Sequence, residues 1–236
     1  MAGDGLSTDA RRRLAFAGGV AVVLAIVVVM VALTAGGGSS GDSAGAGSSA
    51  RSSAAAPATT AAGAGAAAPA LPGAQTGPPP WTNGGGGLAA RLRAIGLPAL
   101  PEEGTVLHIH QHLDVFVNGR RAQVPAGIGI DPRLQFISPL HTHDTTGTLH
   151  VESPQPATFT LGQFFEVWGV PLSARQLGGL RVGGGRVLRE WVNGRPVSGD
   201  PAATKLASHQ EIVVAYGTAD QMPKRPPASF DFAPVE

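Results

Sequence analysis

Apolar positions along the chain follow three different patterns. From Leu14 to Leu33 twenty residues run without a charge or a proline. At 1.5 Å per residue such a run extends about 30 Å, the thickness of a bilayer's hydrocarbon core. Arg11, Arg12 and Arg13 precede it. The pattern predicts a transmembrane helix over 14–33, with residues 1–13 cytoplasmic and everything after the helix exported. A cleaved signal peptide is the alternative, since Leu33-Thr34-Ala35 is a passable cleavage site. The apolar run is longer than the roughly 7–15 residues of a signal core, which favours a retained anchor. Either way the C-terminal part lies outside the cytoplasm.

The second pattern, over 34–87, is hardly a pattern at all: Ala, Gly, Ser, Thr and Pro with almost no charge. Such a segment buries too little apolar surface to fold and predicts a disordered linker. As a flexible coil its ends would stand about 40 Å apart.

The third, over 88–236, reads as one extracytoplasmic globular domain ending in a Pro-rich tail. Leu88, Leu92 and Ile95 recur at helical spacing. Residues 105–117 alternate apolar and polar, Asn118-Gly119 is a hairpin turn signal, and 120–124 returns. A second hairpin is predicted over 140–151, around Asp144-Thr145-Thr146-Gly147. Thr160 with Gln163 fits a capping box opening a helix through Phe164, Phe165, Val167 and Trp168, closed by Gly169. A third strand pair follows, with 186–192, the turn Asn193-Gly194, and 211–216. The expected fold is α+β: mostly antiparallel hairpins with one or two short helices. In the tail after Pro223, Phe230 and Phe232 are positioned to pack back on the domain.

Composition removes several chemistries. The chain has no cysteine, which excludes disulfides, iron–sulfur clusters, Cys-ligated zinc and blue-copper centres. Met222 is the single methionine of the folded part, so a thioether Cu(I) site is disfavoured. A net charge of +1 without a basic stripe gives no reason to expect a nucleic-acid partner.

Histidine is what remains. Six of the seven histidines lie between His108 and His150. His108, His110 and His112 alternate on a predicted strand and therefore share one face. If the second hairpin has a loop of two or four residues centred on Thr145 and Thr146, His141 stands across from His150. His143 then joins the same face, opposite Thr148. A lone His-x-His on a half-exposed sheet is usually a solvated polar pair; two such clusters on neighbouring hairpins point to a transition metal. All-imidazole ligation suits Cu(II) or Zn(II). Asp144 and Glu152 are expected to support the ligands from the second shell, by ligating or by fixing a ring tautomer. His209 is distant in sequence and is not expected in the ligand set.

The segments HIHQHLDVFVNG, VPAGIGI, SPLHTHDTTGTLHVES, FTLGQFFEVWGV and ASHQEIVVAYG together resemble a family of His-rich bacterial and archaeal domains of uncharacterised activity. That family is exported or held by a membrane anchor. The resemblance covers about 102–232 and implies that the His segments belong to a shared pattern; it carries no mechanism. The His-x-His strand also resembles cupins. Cupins place a Glu shortly after that pair, where this chain has Asp114 and Phe116.

These readings lead first to a membrane-anchored, extracytoplasmic module binding Cu(II) or Zn(II) for capture, buffering or delivery. Its partners are the metal ion and, through 14–33, the lipid bilayer; no protein partner is identified. A His-ligated metalloenzyme (hydratase, hydrolase or cupin-like oxygenase) is the first alternative. A metal-free domain docking a cell-envelope partner is the second.

Overall fold

The computed structural model describes residues 71–232. The expected anchor at 14–33 and most of the expected linker lie outside them. Among the described residues no helix is long and apolar enough to cross a membrane.

Seven strands form one mixed sheet. In chain order they are β1 (Leu107–Val117), β2 (Arg120–Ala122), β3 (Leu140–His141), β4 (Thr148–Ser153), β5 (Arg186–Val192), β6 (Arg195–Val197) and β7 (Glu211–Thr218). Their spatial order is β6-β5-β7-β1-β4-β3, with β2 paired beside β1. Two helices, α1 (Leu88–Ile95) and α2 (Leu161–Trp168), complete the α+β fold. Both Asn-Gly turns form as expected: Asn118 and Asn193 take positive φ of 52° and 51°, and the glycine after each is positive too. That conformation matches the twist of a two-residue hairpin.

One pairing departs from an all-hairpin sheet. β1 and β7 run parallel at its centre, from His112 beside Glu211 to Val117 beside Tyr216. Parallel neighbours need a long crossover, and the chain between them supplies α2 on the way. Short sequence windows hold no trace of such a pairing.

The capping box predicted the start of α2 correctly. Thr160 accepts from the Gln163 N–H and Gln163 accepts from the Thr160 N–H, and Gly169 ends the helix with φ 77°. Phe164, Phe165 and Trp168 are wholly buried beneath the sheet, among Leu113, Val115, Leu149 and Val151. Those strand residues sit at odd positions, so the even positions of β1 and β4 face the other way. The histidines occupy that other face.

The domain starts earlier than residue 88. Residues 71–87 were expected to belong to the linker on composition alone, yet they pack against α2. Trp81 is buried edge-on to Trp168 with ring centroids 5.6 Å apart. The Trp168 indole N–H donates to the Thr82 carbonyl at 2.7 Å. Gly84 has φ 69°, and a Cβ there would stand 2.0 Å from the Trp168 carbonyl oxygen. Glycine-rich composition here serves close backbone approach rather than disorder.

Candidate metal centre

Three adjacent strands build the site. β4 lies between β1 and β3, and the register places His110 beside His150 and His141 beside the same His150. One rung of the sheet therefore carries three imidazoles side by side. The next rung pairs His108 with Glu152. Directly opposed residues point to the same face with Cβ atoms roughly 5 Å apart, so register alone gathers these side chains.

The expected alignment of the second hairpin is met at His141 but stops there. A six-residue connection, Thr142 to Gly147, joins β3 to β4 in place of the expected two- or four-residue loop, and His141 still pairs with His150. His143 does not pair with Thr148. The Thr142 N–H and carbonyl are taken by Ile128 and Gly127 instead, which turns the chain off the ladder. His143 nevertheless returns over the cluster, with its Nε2 3.1 Å from that of His141. On the other side the Nε2 atoms of His108 and His110 are 3.0 Å apart. Two imidazoles on one Zn(II) or Cu(II), each about 2.0–2.1 Å from the ion, have nitrogens about 3 Å apart. Both pairs are thus at coordination spacing.

Glu152, expected as a peripheral carboxylate, is at the centre. Its Oε1 lies 3.0 Å from His150 Nδ1, 3.2 Å from His108 Nε2 and 3.9 Å from His141 Nε2. Its Oε2 is buried without a hydrogen-bond partner. Burial alone would push this carboxyl up, but the His150 hydrogen bond and the nearby imidazoles outweigh it and hold it below its ordinary value. The carboxylate only accepts, so His150 Nδ1–H donates to it. Five histidines and Glu152 make up groups able to hold a metal ion.

The sixth predicted ligand, His112, belongs to a separate buried group with Asp114 and Glu211 that could hold an ion of its own. Its Nδ1 is 2.7 Å from Glu211 Oε2 and its Nε2 2.9 Å from the Thr146 carbonyl. Phe230 from the tail stacks on its ring at 3.9 Å. Asp114 in the same cluster is paired with Arg121. Gly147 closes it: φ there is 97°, and a Cβ would meet the Leu113 carbonyl at 2.7 Å. Asp144 is in none of the ligand groups. Its Oδ1 accepts from the Thr146 N–H and hydroxyl, an Asx turn within the loop, and these bonds hold its pKa below the usual range. His209 is exposed, with φ 59°. Its N–H donates to the His110 carbonyl at 2.7 Å, and its ring lies against Phe232.

Sequence reasoning missed two carboxylates. Glu103 Oε1 is 3.1 Å from His143 Nε2; it comes from a Pro-Glu-Glu-Gly loop that carries no local signal. Glu211 did have one, as an acidic residue opening an otherwise apolar strand that required a buried partner.

Burial sets the protonation of the cluster. It lowers His110 to about 4, helped by the charges of His150 and His108. It lowers His141 to about 4 as well, against the pull of Glu152. Both rings are therefore neutral at pH 7 and need lose no proton to ligate. For His112 burial acts in the same direction but the Glu211 hydrogen bond and charge prevail, and its pKa is raised.

These shifts have opposite consequences for stability. Between about pH 6.5 and about 4 the unfolded chain protonates His110 and His141 while the folded chain does not. Their contribution is present above that window and lost as pH falls through it. The His112 contribution is present below its ordinary value and lost as pH rises through the raised one. The melting temperature of the chelator-treated protein should therefore fall across the acid window, and His141→Asn should make that fall shallower. Equal slopes in both proteins would show that His141 is not held neutral.

Searches against protein-family models, curated proteins and solved structures return no match.

Proposed function

We propose that this domain is a metal-binding module for Cu(II) or Zn(II), held outside the cytoplasm by the 14–33 segment and serving capture, buffering or delivery of the ion. The observation that carries this reading is the meeting of His108-x-His110 on β1, His150-x-Glu152 on β4 and His141-x-His143 at the end of β3. Imidazole and carboxylate donors suit borderline divalent ions, and Cu(II) binds such a site more tightly than Zn(II).

Access supports binding as well. The His108 and His143 side chains are 48% and 43% exposed, whereas His141 is fully buried. An ion thus meets one exposed ring of each pair first and is completed by half-buried His110 or buried His141. The membrane attachment rests on the uncharged run and its preceding arginines.

The test is titration of the purified, chelator-treated full chain with Cu(II) and Zn(II), followed by calorimetry and thermal melting. Stoichiometric uptake at micromolar concentration, with a raised melting temperature reversed by chelator, is expected. A site that binds only the folded chain at 100-fold excess over Kd adds about 2.7 kcal/mol of stability. Failure to bind either ion at micromolar concentration would overturn the reading.

A further inference from the structure

Five histidines exceed the four ligands of a tetrahedral Zn(II) site, and their placement shows how they divide. His108 and His110 form a group with His150 and Glu152 whose ligand atoms all lie within 4.8 Å of one another; His141 and His143 form a second group with the same two residues. Among the described residues no group of that span contains both pairs. Two donors on one ion are at most twice a bond length apart, about 4.2 Å. One ion therefore cannot take both pairs as they stand. The reason lies in the sheet: the pairs hang from β1 and β3, the two neighbours of β4, and strands about 4.8 Å apart keep their side chains on opposite sides of the central strand.

We propose that the cluster is a dinuclear centre, with one divalent ion on His108 and His110, a second on His141 and His143, and Glu152 bridging them. This rests on the metal-binding reading above and adds the number of ions and the residue that couples them.

Glu152 has the geometry of a bridge. Its Oε1 reaches 3.2 Å to His108 on one side and 3.9 Å to His141 on the other, and its Oε2 is buried with no partner. A buried carboxylate oxygen left unpaired is costly, and ligation of an ion would satisfy it. The shared negative charge also reduces repulsion between two dications at the roughly 3.5–4 Å of two-metal sites. Glu103, 3.1 Å from His143 and 3.9 Å from His141, adds a second carboxylate on the β3 side. His150 donates to Glu152 and orients it, as second-shell partners orient metal-bridging groups.

The experiment is Cu(II) loading of the full chain, read by metal analysis and electron paramagnetic resonance, with His108→Ala, His143→Ala and Glu152→Gln alongside. Two ions per chain are expected, with a spin-coupled spectrum of reduced intensity. His108→Ala and His143→Ala should each bind one ion and show the full-intensity signal of an isolated Cu(II). Glu152→Gln should lose the coupling. One ion per chain in the parent would overturn the dinuclear centre and leave the metal-binding reading intact. Two ions without coupling would also overturn it, by placing the second ion at a remote cluster such as His112–Asp114–Glu211. No bound ion would overturn both.

Discussion

His110→Ala combined with His141→Ala should weaken Cu(II) and Zn(II) binding by at least about 100-fold, above the 10–100-fold typical of losing a supporting residue. Each substitution removes the less exposed member of one His-x-His pair, half-buried His110 or fully buried His141. What remains on either side is an exposed imidazole with a carboxylate, Glu152 beside His108 and Glu103 beside His143, and no second imidazole of its pair. The rise in melting temperature on adding metal should vanish with the affinity. His112→Ala is the informative contrast. Its ring has both nitrogens engaged by Glu211 and Thr146, outside the ligand groups of the centre. That variant should bind metal within about threefold of the parent while melting lower, because it leaves Glu211 buried and uncompensated, a loss of about 3–5 kcal/mol for a broken buried pair. Calorimetric titration of the two variants side by side decides the matter. A double variant that keeps parental affinity would remove the cluster as the binding site.

The second large effect is structural. Arg91→Met should destabilise the domain by about 3–5 kcal/mol, comparable to breaking a buried ionic network. Arg91 is fully buried, and burial lowers its pKa. Its partners are carbonyl oxygens: Val167 at 3.2 Å and 3.0 Å, Pro72 at 3.0 Å, Gly86 at 2.9 Å, and Gly84. Methionine keeps the apolar stem and leaves those four carbonyls without the guanidinium donors; those of Val167 and Gly84 are buried, where an unpaired polar group costs about 1–3 kcal/mol. Partial relaxation toward water keeps the total below the sum. For a domain of this size the melting temperature should fall by roughly 10 °C, and residues 71–87 should become accessible to protease. A change under about 1 kcal/mol would mean that the glycine-rich segment holds its place without the guanidinium.

The early boundary of the domain was hidden for the same reason. Residues 71–87 have the composition of a linker, and composition speaks only to how much apolar surface a segment can bury by itself. Trp81 and the Thr82 carbonyl obtain their partner, Trp168, from α2, some eighty residues later in the chain. Arg91 joins the carbonyls of Pro72, Gly84 and Gly86 to that of Val167 in the same helix α2. Gly84 is chosen for close approach to Trp168, which no local window contains.

Local chemistry, by contrast, was readable. Asn118-Gly119 and Asn193-Gly194 specify their own turns through φ preference, and Thr160 with Gln163 specifies the start of α2 through two reciprocal hydrogen bonds. These signals act within four residues, so the sequence by itself determined the hairpins, the second helix, the face on which His108 and His110 stand, and the absence of any cysteine chemistry. The pairing of His141 with His150 was legible only as one of the registers the turn allowed, because nothing local fixed the length of that loop.

Tertiary structure alone decided the composition of the site. The three pairs of the cluster come from strands whose adjacency is a property of the whole sheet. Glu152 became central because β4 was placed between β1 and β3. His112 left the set although it shares a face with His108 and His110, because the parallel pairing of β1 with β7 set Glu211 directly beside it. A strand's alternation dictates which way a side chain points; which charge it meets there depends on neighbours brought in from the other end of the chain.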